Sequence, residues 1–209
     1  MKTRNTNTRR FVDIALFSAI GAILEAAFGS ISHTFRMIPF SGLIPTTALI
    51  TVFSALYAYR RSAPDIMLCG VVIALLKLLS PGGNSLFAIS AVLIESGLMV
   101  LGLRILPGSH RIGLVVTACF VSLWPVFQRV LILIFFIGIT LNDVFSEINK
   151  ITVPLIPKDA TSLLLILTMI AALHFTSGMA SALLGWHLGS RLNLTQTMCP
   201  ISVNPSVEK

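Results

Sequence analysis

Charge is scarce in this chain. Of its 209 residues, 11% are charged, against about 25% in an ordinary soluble domain. The surface of a water-soluble fold must be largely polar or charged. The scarcity therefore excludes an ordinary cytosolic enzyme, a secreted disulfide domain and a disordered chain. Cysteine is also scarce. Cys69, Cys119 and Cys199 are odd in number and form no CxxC, which points away from a disulfide framework and from a zinc site. No GxxxxGK[ST] occurs, so the chain has no P-loop for ATP; HExxH and GxSxG are missing too. The expectation is a protein that is no enzyme, with no catalytic residue, no cofactor and no metal centre. No sequence repeat stands out, so an inverted three-plus-three architecture is not supported.

What the chain does contain is apolar sequence. Hydrophobic residues make up 55% of it, and the mean hydropathy is +0.91. Six apolar segments run over about 11–29, 42–59, 64–79, 85–106, 112–140 and 161–190. Turn chemistry separates several of them, as in Ser62-Ala63-Pro64, Pro81-Gly82-Gly83-Asn84 and Pro107-Gly108-Ser109. The runs are long and unbroken, unlike the short alternating segments of a membrane barrel. The fold class expected is therefore all-α integral membrane: a bundle of six transmembrane helices forming a single membrane domain over residues 1–209. Pro45 and Pro125 lie inside apolar runs, where membrane helices tolerate them, often with a kink. The basic start and first apolar stretch resemble a cleaved leader. Against that, Glu25 sits beside the would-be cleavage site and the apolar run is long for an h-region.

Net charge is +7. The positive residues cluster at the ends of hydrophobic runs, which indicates cytoplasmic loops rather than a nucleic-acid surface; no nucleic-acid partner is expected. With six spans, Lys2, Arg4, Arg9, Arg10, Arg60, Arg61, Arg104, Arg111, Arg191 and Lys209 fall on one side, and Arg36, Lys77, Lys150 and Lys158 on the other. By the positive-inside bias, the N-terminus and C-terminus are both expected to be cytoplasmic, in a multi-pass protein of the cell membrane.

Helices in lipid associate through close packing of small residues. Ala15, Ala19, Ala22, Ala26 and Gly29 form such a seam on the first helix, and Gly178, Ala182, Gly185 and Gly189 form one on the last. Five ionisable residues lie within or at the ends of the spans: Glu25, Lys77, Glu95, Arg129 and His174. A charge at the centre of a span costs about 2.5–3.5 kcal/mol on insertion scales. Such residues usually face the protein interior or a water-filled cavity. Glu95 shares a helical face with Ala88, Ala91 and Gly102; Arg129 with Ala118, Ser122 and Pro125; and His174 with Ala171 and Gly178. All five suit one cavity open to the outside, roofed by loops 30–41, 80–85 and 141–160, with Asn84 in the second loop at its mouth. Structural roles stay open beside this. Lys77 can snorkel, Glu25 can bond to backbone, Glu95 and Arg129 can pair with each other, and His174 can be a neutral packing residue.

The arrangement resembles the substrate-binding S component of energy-coupling factor (ECF) vitamin transporters. The features that carry the likeness are six hydrophobic helices in about 200 residues, both ends inside, and an AxxxA motif formed by Ala15 and Ala19 just after the basic Arg9-Arg10 segment. The resemblance implies that these alanines, with Ala22, dock onto a membrane coupling subunit joined to two cytoplasmic ATPases. It also implies a small-molecule substrate captured from outside, and a bacterial or archaeal inner membrane as the lipid bilayer. The substrate-binding residues expected from charge and depth are Glu95, Arg129, His174, Lys77, Glu25 and Asn84. Two other readings stay open: a membrane scaffold or assembly protein without transport, and a stand-alone small secondary carrier.

Overall fold

The computed structural model describes residues 2–34, 42–79, 85–106, 110–138 and 163–198, together with residues 140, 143 and 146. Those residues are helical, with no strand among them. The helices are α1 (Lys2–Thr34), α2 (Leu43–Arg60), α3 (Ala63–Leu78), α4 (Ser85–Ile105), α5 (His110–Val121), α6 (Trp124–Phe135) and α7 (Leu163–Met198). Among the described residues, four stretches are long and apolar enough to cross a membrane: Asn7–Phe28, Leu86–Ile105, His110–Phe135 and Leu167–Leu194. The third of these comprises α5 and α6. Their junction at Ser122–Leu123 leaves the regular helix, and Pro125 follows it, removing a backbone donor at the point of interruption.

The centre of the bundle is α2. Leu49, Ile50, Phe53, Leu56 and Ala58 on this helix are almost fully buried, as are Thr46 and Ser54. A helix surrounded by other helices need not be apolar on every side, because its hydroxyls meet protein rather than lipid. This accounts for the Thr and Tyr content of α2. Thr47, for example, donates to Ile44 O at 2.8 Å, and Thr51 to Thr47 O at 2.9 Å. The helices around it present Phe11, Leu16, Leu101, Phe120 and Leu184 outward. In a membrane that outward surface faces acyl chains.

Small residues set how closely the helices approach. At Gly185 a Cβ would collide with Thr51 O, and at Gly189 with Ala55 O; at Gly178 it would lie 2.7 Å from Ala118 O. The seam on α7 thus lets that helix pack backbone-to-backbone against α2 and α5. Both contacts on α2 advance by four residues in step with α7, so α2 and α7 run parallel. Gly102 on α4 abuts Thr117 on α5, while Phe87 and Ser90 on α4 meet Gln128 on α6. This register is antiparallel.

One end of the bundle is tied by ions. Arg10 bonds Asp65 Oδ1 at 2.6 Å, Arg60 bonds Asp65 Oδ2 at 3.0 Å, and Arg60 also reaches Asp13 Oδ2 at 2.9 Å. Asp65 has no exposed surface, and two guanidinium groups hold its two oxygens. The cluster clamps α1, near Arg10 and Asp13, to the end of α2 and the start of α3. Arg61, at φ +57, closes α2 by donating its N–H to Tyr57 O at 2.7 Å, and its guanidinium stacks 4.2 Å from the Trp186 ring of α7.

Candidate functional site

The site takes shape away from that ionic clamp, around the midpoint of α4. Gly42 begins it. Its φ of +86 is a left-handed value that suits glycine, and a Cβ there would lie 2.8 Å from Pro125 on α6. Glycine therefore both starts α2 and lets it approach the α5–α6 junction. Its carbonyl accepts from Thr46 N at 3.0 Å, which sets the first turn. Thr46 then turns its hydroxyl toward α4 and donates to Glu95 Oε1 at 2.7 Å.

Glu95 is 2% exposed. The bond from Thr46 satisfies one carboxyl oxygen, while Oε2 has no hydrogen-bond partner among the described residues. A buried polar group left in this state costs about 1–3 kcal/mol, and more if it is charged. Ala91 and Ala88, one and two turns nearer the start of α4, are half-buried and small.

Glu25 and Lys77 do come together. Lys77 Nζ bonds Glu25 Oε1 at 2.9 Å across α1 and α3, and both side chains are largely buried. The lysine is thus ion-paired to a carboxylate inside the protein. Glu25 also lies close enough to Glu95 for the two carboxyls to interact electrostatically. Three of the residues singled out from sequence therefore belong to one neighbourhood.

Arg129 and His174 are placed differently. Arg129 lies on the same stripe of α6 as the buried Pro125 and Leu133, yet its side chain is exposed and makes no ion pair with Glu95. A guanidinium on a long stem can leave a buried stripe in this way. His174 is fully buried against the α5–α6 junction. There Val126 N bonds Leu123 O, so Ser122 O is released from the helical ladder, and His174 Nδ1 donates to it. A carbonyl accepts only, so the ring proton sits on Nδ1. Ser122 Oγ returns a bond to His174 O at 2.7 Å. This geometry gives His174 the work of satisfying an interrupted helix. Asn84 lies outside the described residues, as do residues 35–41, 80–84 and 147–162 of the loops expected over the site.

On α1, Ala15 and Ala19 are exposed beside Phe11, Val12, Leu16 and Ile23, whereas Ala22 is half-buried and packs against the core. The first two alanines thus sit on an outward face, and the third belongs partly to the bundle.

Sequence reasoning missed Thr46, because a threonine in the first turn of a helix carries no mark of its partner on a helix 49 residues away. It also missed the acids of the ionic clamp. Asp13 follows the basic Arg9-Arg10 run within α1 and Asp65 stands in the first turn of α3 after Arg60-Arg61, and that juxtaposition was the available signal. Gln128 is a third tie: its Nε2 donates to Phe87 O at 2.8 Å and fastens α6 to the first turn of α4. Trp124 Nε1, at the start of α6, is buried without a hydrogen-bond partner among the described residues.

Chemically, the neighbourhood offers a half-satisfied carboxyl beside a compensated Lys–Glu pair. Among the described residues, no group of three His, Cys, Asp or Glu side chains stands together to hold a metal ion. Comparison of the chain with protein families, with curated proteins and with solved structures finds no match.

Proposed function

We propose that this chain is a membrane-embedded capture subunit that binds a small polar micronutrient, such as a vitamin, from the outside, as the S component of an ECF-type importer does. One observation carries the reading: Glu95 is buried midway along an apolar helix, with one carboxyl oxygen lacking a partner among the described residues. A polar group so placed in a membrane span is costly, and a ligand that completes its hydrogen bonds offsets that cost. In this reading the ionic clamp of Arg10, Asp65, Arg60 and Asp13 lies at the cytoplasmic end, and Glu95 is reached from the opposite end. The bundle spans the membrane six times, with both termini inside. ATP hydrolysis belongs to two cytoplasmic ATPases, reached through a membrane coupling subunit that docks on α1 at Ala15 and Ala19. The outward exposure of those two alanines supports this assignment.

The test is mass spectrometry of small molecules retained by the purified protein, with Glu95→Ala alongside. A retained polar metabolite that is lost in the variant supports capture. If no small molecule is retained, and no uptake depends on the chain in cells, the reading fails. Ala15→Trp with Ala19→Trp separates docking from binding. The expected result is unchanged ligand retention with loss of uptake and of co-purification with a coupling subunit. Unchanged co-purification would remove the docking assignment.

A further inference from the structure

The end of the bundle that carries the ionic clamp holds more positive charge than the clamp uses. Among the described residues its acids are Asp13 and Asp65, and Arg10 and Arg60 already hold them. Arg9 on α1, Arg61 closing α2, Arg104 in the last turn of α4, Arg111 in the first turn of α5 and Arg191 on α7 stand at the same end. The sequence next to these helix ends adds Lys2, Arg4 and Lys209 against Glu208 alone, so it does not reverse the excess.

One of these arginines has a built setting. Arg61 is exposed, and among the described residues its guanidinium bonds to no carboxylate. It lies 4.2 Å from the centroid of the Trp186 ring on α7. Stacking occupies the face of a guanidinium, whereas its N–H donors point outward in the plane. The indole therefore orders the arginine and leaves its donors available. Tyr57, one turn earlier on α2, lies within electrostatic reach of Arg61 and shares a 3.0 Å hydrogen bond with His110 Nδ1. His110 and Arg111 open α5 and are exposed. The end of α2, the start of α5 and Trp186 of α7 thus meet around Tyr57. An apolar flank leads away from them. Ile112, Val116 and Phe120 share one stripe of α5 and are exposed, and Phe120 meets Phe175 of α7 edge-on with centroids 5.4 Å apart. In a membrane that flank faces acyl chains, while Trp186 and the arginines stand at headgroup level.

We infer that Arg61, stacked on Trp186, binds the phosphate of an anionic phospholipid headgroup between the end of α2 and the start of α5, with the acyl chains of that lipid along Ile112, Val116 and Phe120. The phosphate accepts from the in-plane donors of the guanidinium. The excess of arginines around it favours a lipid of net negative charge over a zwitterionic one. A free phosphate meets the same donors but makes no use of the apolar flank below them. The inference needs the helices to lie in a bilayer and does not rest on the capture reading. In the orientation proposed above, the lipid belongs to the cytoplasmic leaflet, whose surface is negative.

The test reads Trp186 directly. The chain has two tryptophans, so Trp124→Phe leaves Trp186 alone, and size-exclusion chromatography checks that the variant is folded. The full chain is placed in nanodiscs of phosphatidylcholine that contain a brominated lipid, either phosphatidylglycerol or phosphatidylcholine, with bromine near the headgroup end of the acyl chains. Quenching of Trp186 should favour the phosphatidylglycerol by about fivefold in apparent affinity, the effect of about one arginine at an anionic surface. Arg61→Gln should lose most of that preference. Arg104→Gln removes the same charge from α4, outside the three helices that meet at Tyr57, and should keep it. Equal quenching by the two lipids, or equal losses in the two arginine variants, overturns the site. Glycerol phosphate is the soluble arm: if it abolishes the preference, the donors belong to a free phosphate and the lipid assignment falls. Native mass spectrometry of the unsubstituted chain and of Arg61→Gln, with the same two lipids, makes the comparison without the Trp124→Phe change. Equal retention of both lipids by the unsubstituted chain overturns the assignment there too.

Discussion

Thr46 on α2 donates its hydroxyl to Oε1 of Glu95 on α4 at 2.7 Å, and among the described residues this is the one hydrogen bond made to that carboxyl. The bond joins the central helix to a buried acid that has no ion-pair partner among the described residues. Thr46→Val keeps the shape and removes the donor. It should lower stability by about 1–2 kcal/mol, the upper range for hydrogen bonds between membrane helices, because the acceptor is a carboxyl. In a Glu95→Leu background the same substitution should cost less than half as much. Reversible unfolding in detergent of the four proteins of that cycle measures the coupling. Equal costs in both backgrounds would mean that the bond contributes nothing.

The Glu25–Lys77 pair gives a second expectation. Removing one partner of a buried pair strands the other, at a cost of about 3–5 kcal/mol, whereas replacing both with apolar groups is often neutral. Lys77→Met should therefore be strongly destabilising, and Glu25→Leu with Lys77→Met should recover most of the loss. A lysine that merely snorkels to the membrane surface would tolerate the single change. Thermal unfolding of the single and double variants separates the two cases.

At the ionic clamp, Arg60 bridges Asp13 and Asp65, while Arg10 reaches Asp65 alone. Asp65→Leu leaves two arginines facing one another and should cost about 3–5 kcal/mol. Arg60→Met should cost more than Arg10→Met, because it releases two carboxylates instead of one. Hydrogen exchange at the adjoining ends of α1, α2 and α3 should rise in the same order. Equal exchange in the two arginine variants would show that the bridge to Asp13 is inert.

Two glycines should respond in opposite ways to a single methyl group. Gly185→Ala drives a Cβ into Thr51 O and Ser54 Cβ on α2 and should separate α2 from α7. Gly97 has nothing within 4 Å of its Cβ position. There alanine should be neutral, or should stabilise by up to about 1 kcal/mol through its better helix propensity. Melting temperatures measured side by side test the contrast. A Gly185→Ala protein as stable as its parent would show that the close α2–α7 contact is not needed.

Much of the fold was legible because it depends on solvent preference, a property summed along the chain. Apolar runs with few charges can satisfy their backbone in lipid only as helices, so Leu86–Ile105 and Leu167–Leu194 declare themselves from composition and length. The α7 seam at Gly185 and Gly189 was legible for a similar reason: the spacing of small residues fixes which side of a helix is narrow. Within the site, Glu25, Lys77 and Glu95 could be named because a charge in an apolar run is conspicuous. The partner of each was hidden. Helical spacing puts Arg129 on the right stripe of α6 but says nothing about where its long side chain goes, and it cannot show that His174 answers a carbonyl freed at Ser122.

The amino-acid order by itself determined that the chain would be helical and apolar outside, and that a few ionisable groups would have to turn inward, since each of these follows from one residue's free energy in lipid or from spacing along one helix. Which helix lies at the centre, and which donor meets which acceptor, were decided only by the tertiary structure. Lys77 binds Glu25 rather than Glu95, and Thr46 reaches Glu95 across 49 positions. Such pairings depend on the rotation and register of whole helices. These are set by how Gly42, Gly102, Gly178 and Gly185 let backbones meet, a global packing condition that no single stretch of sequence contains.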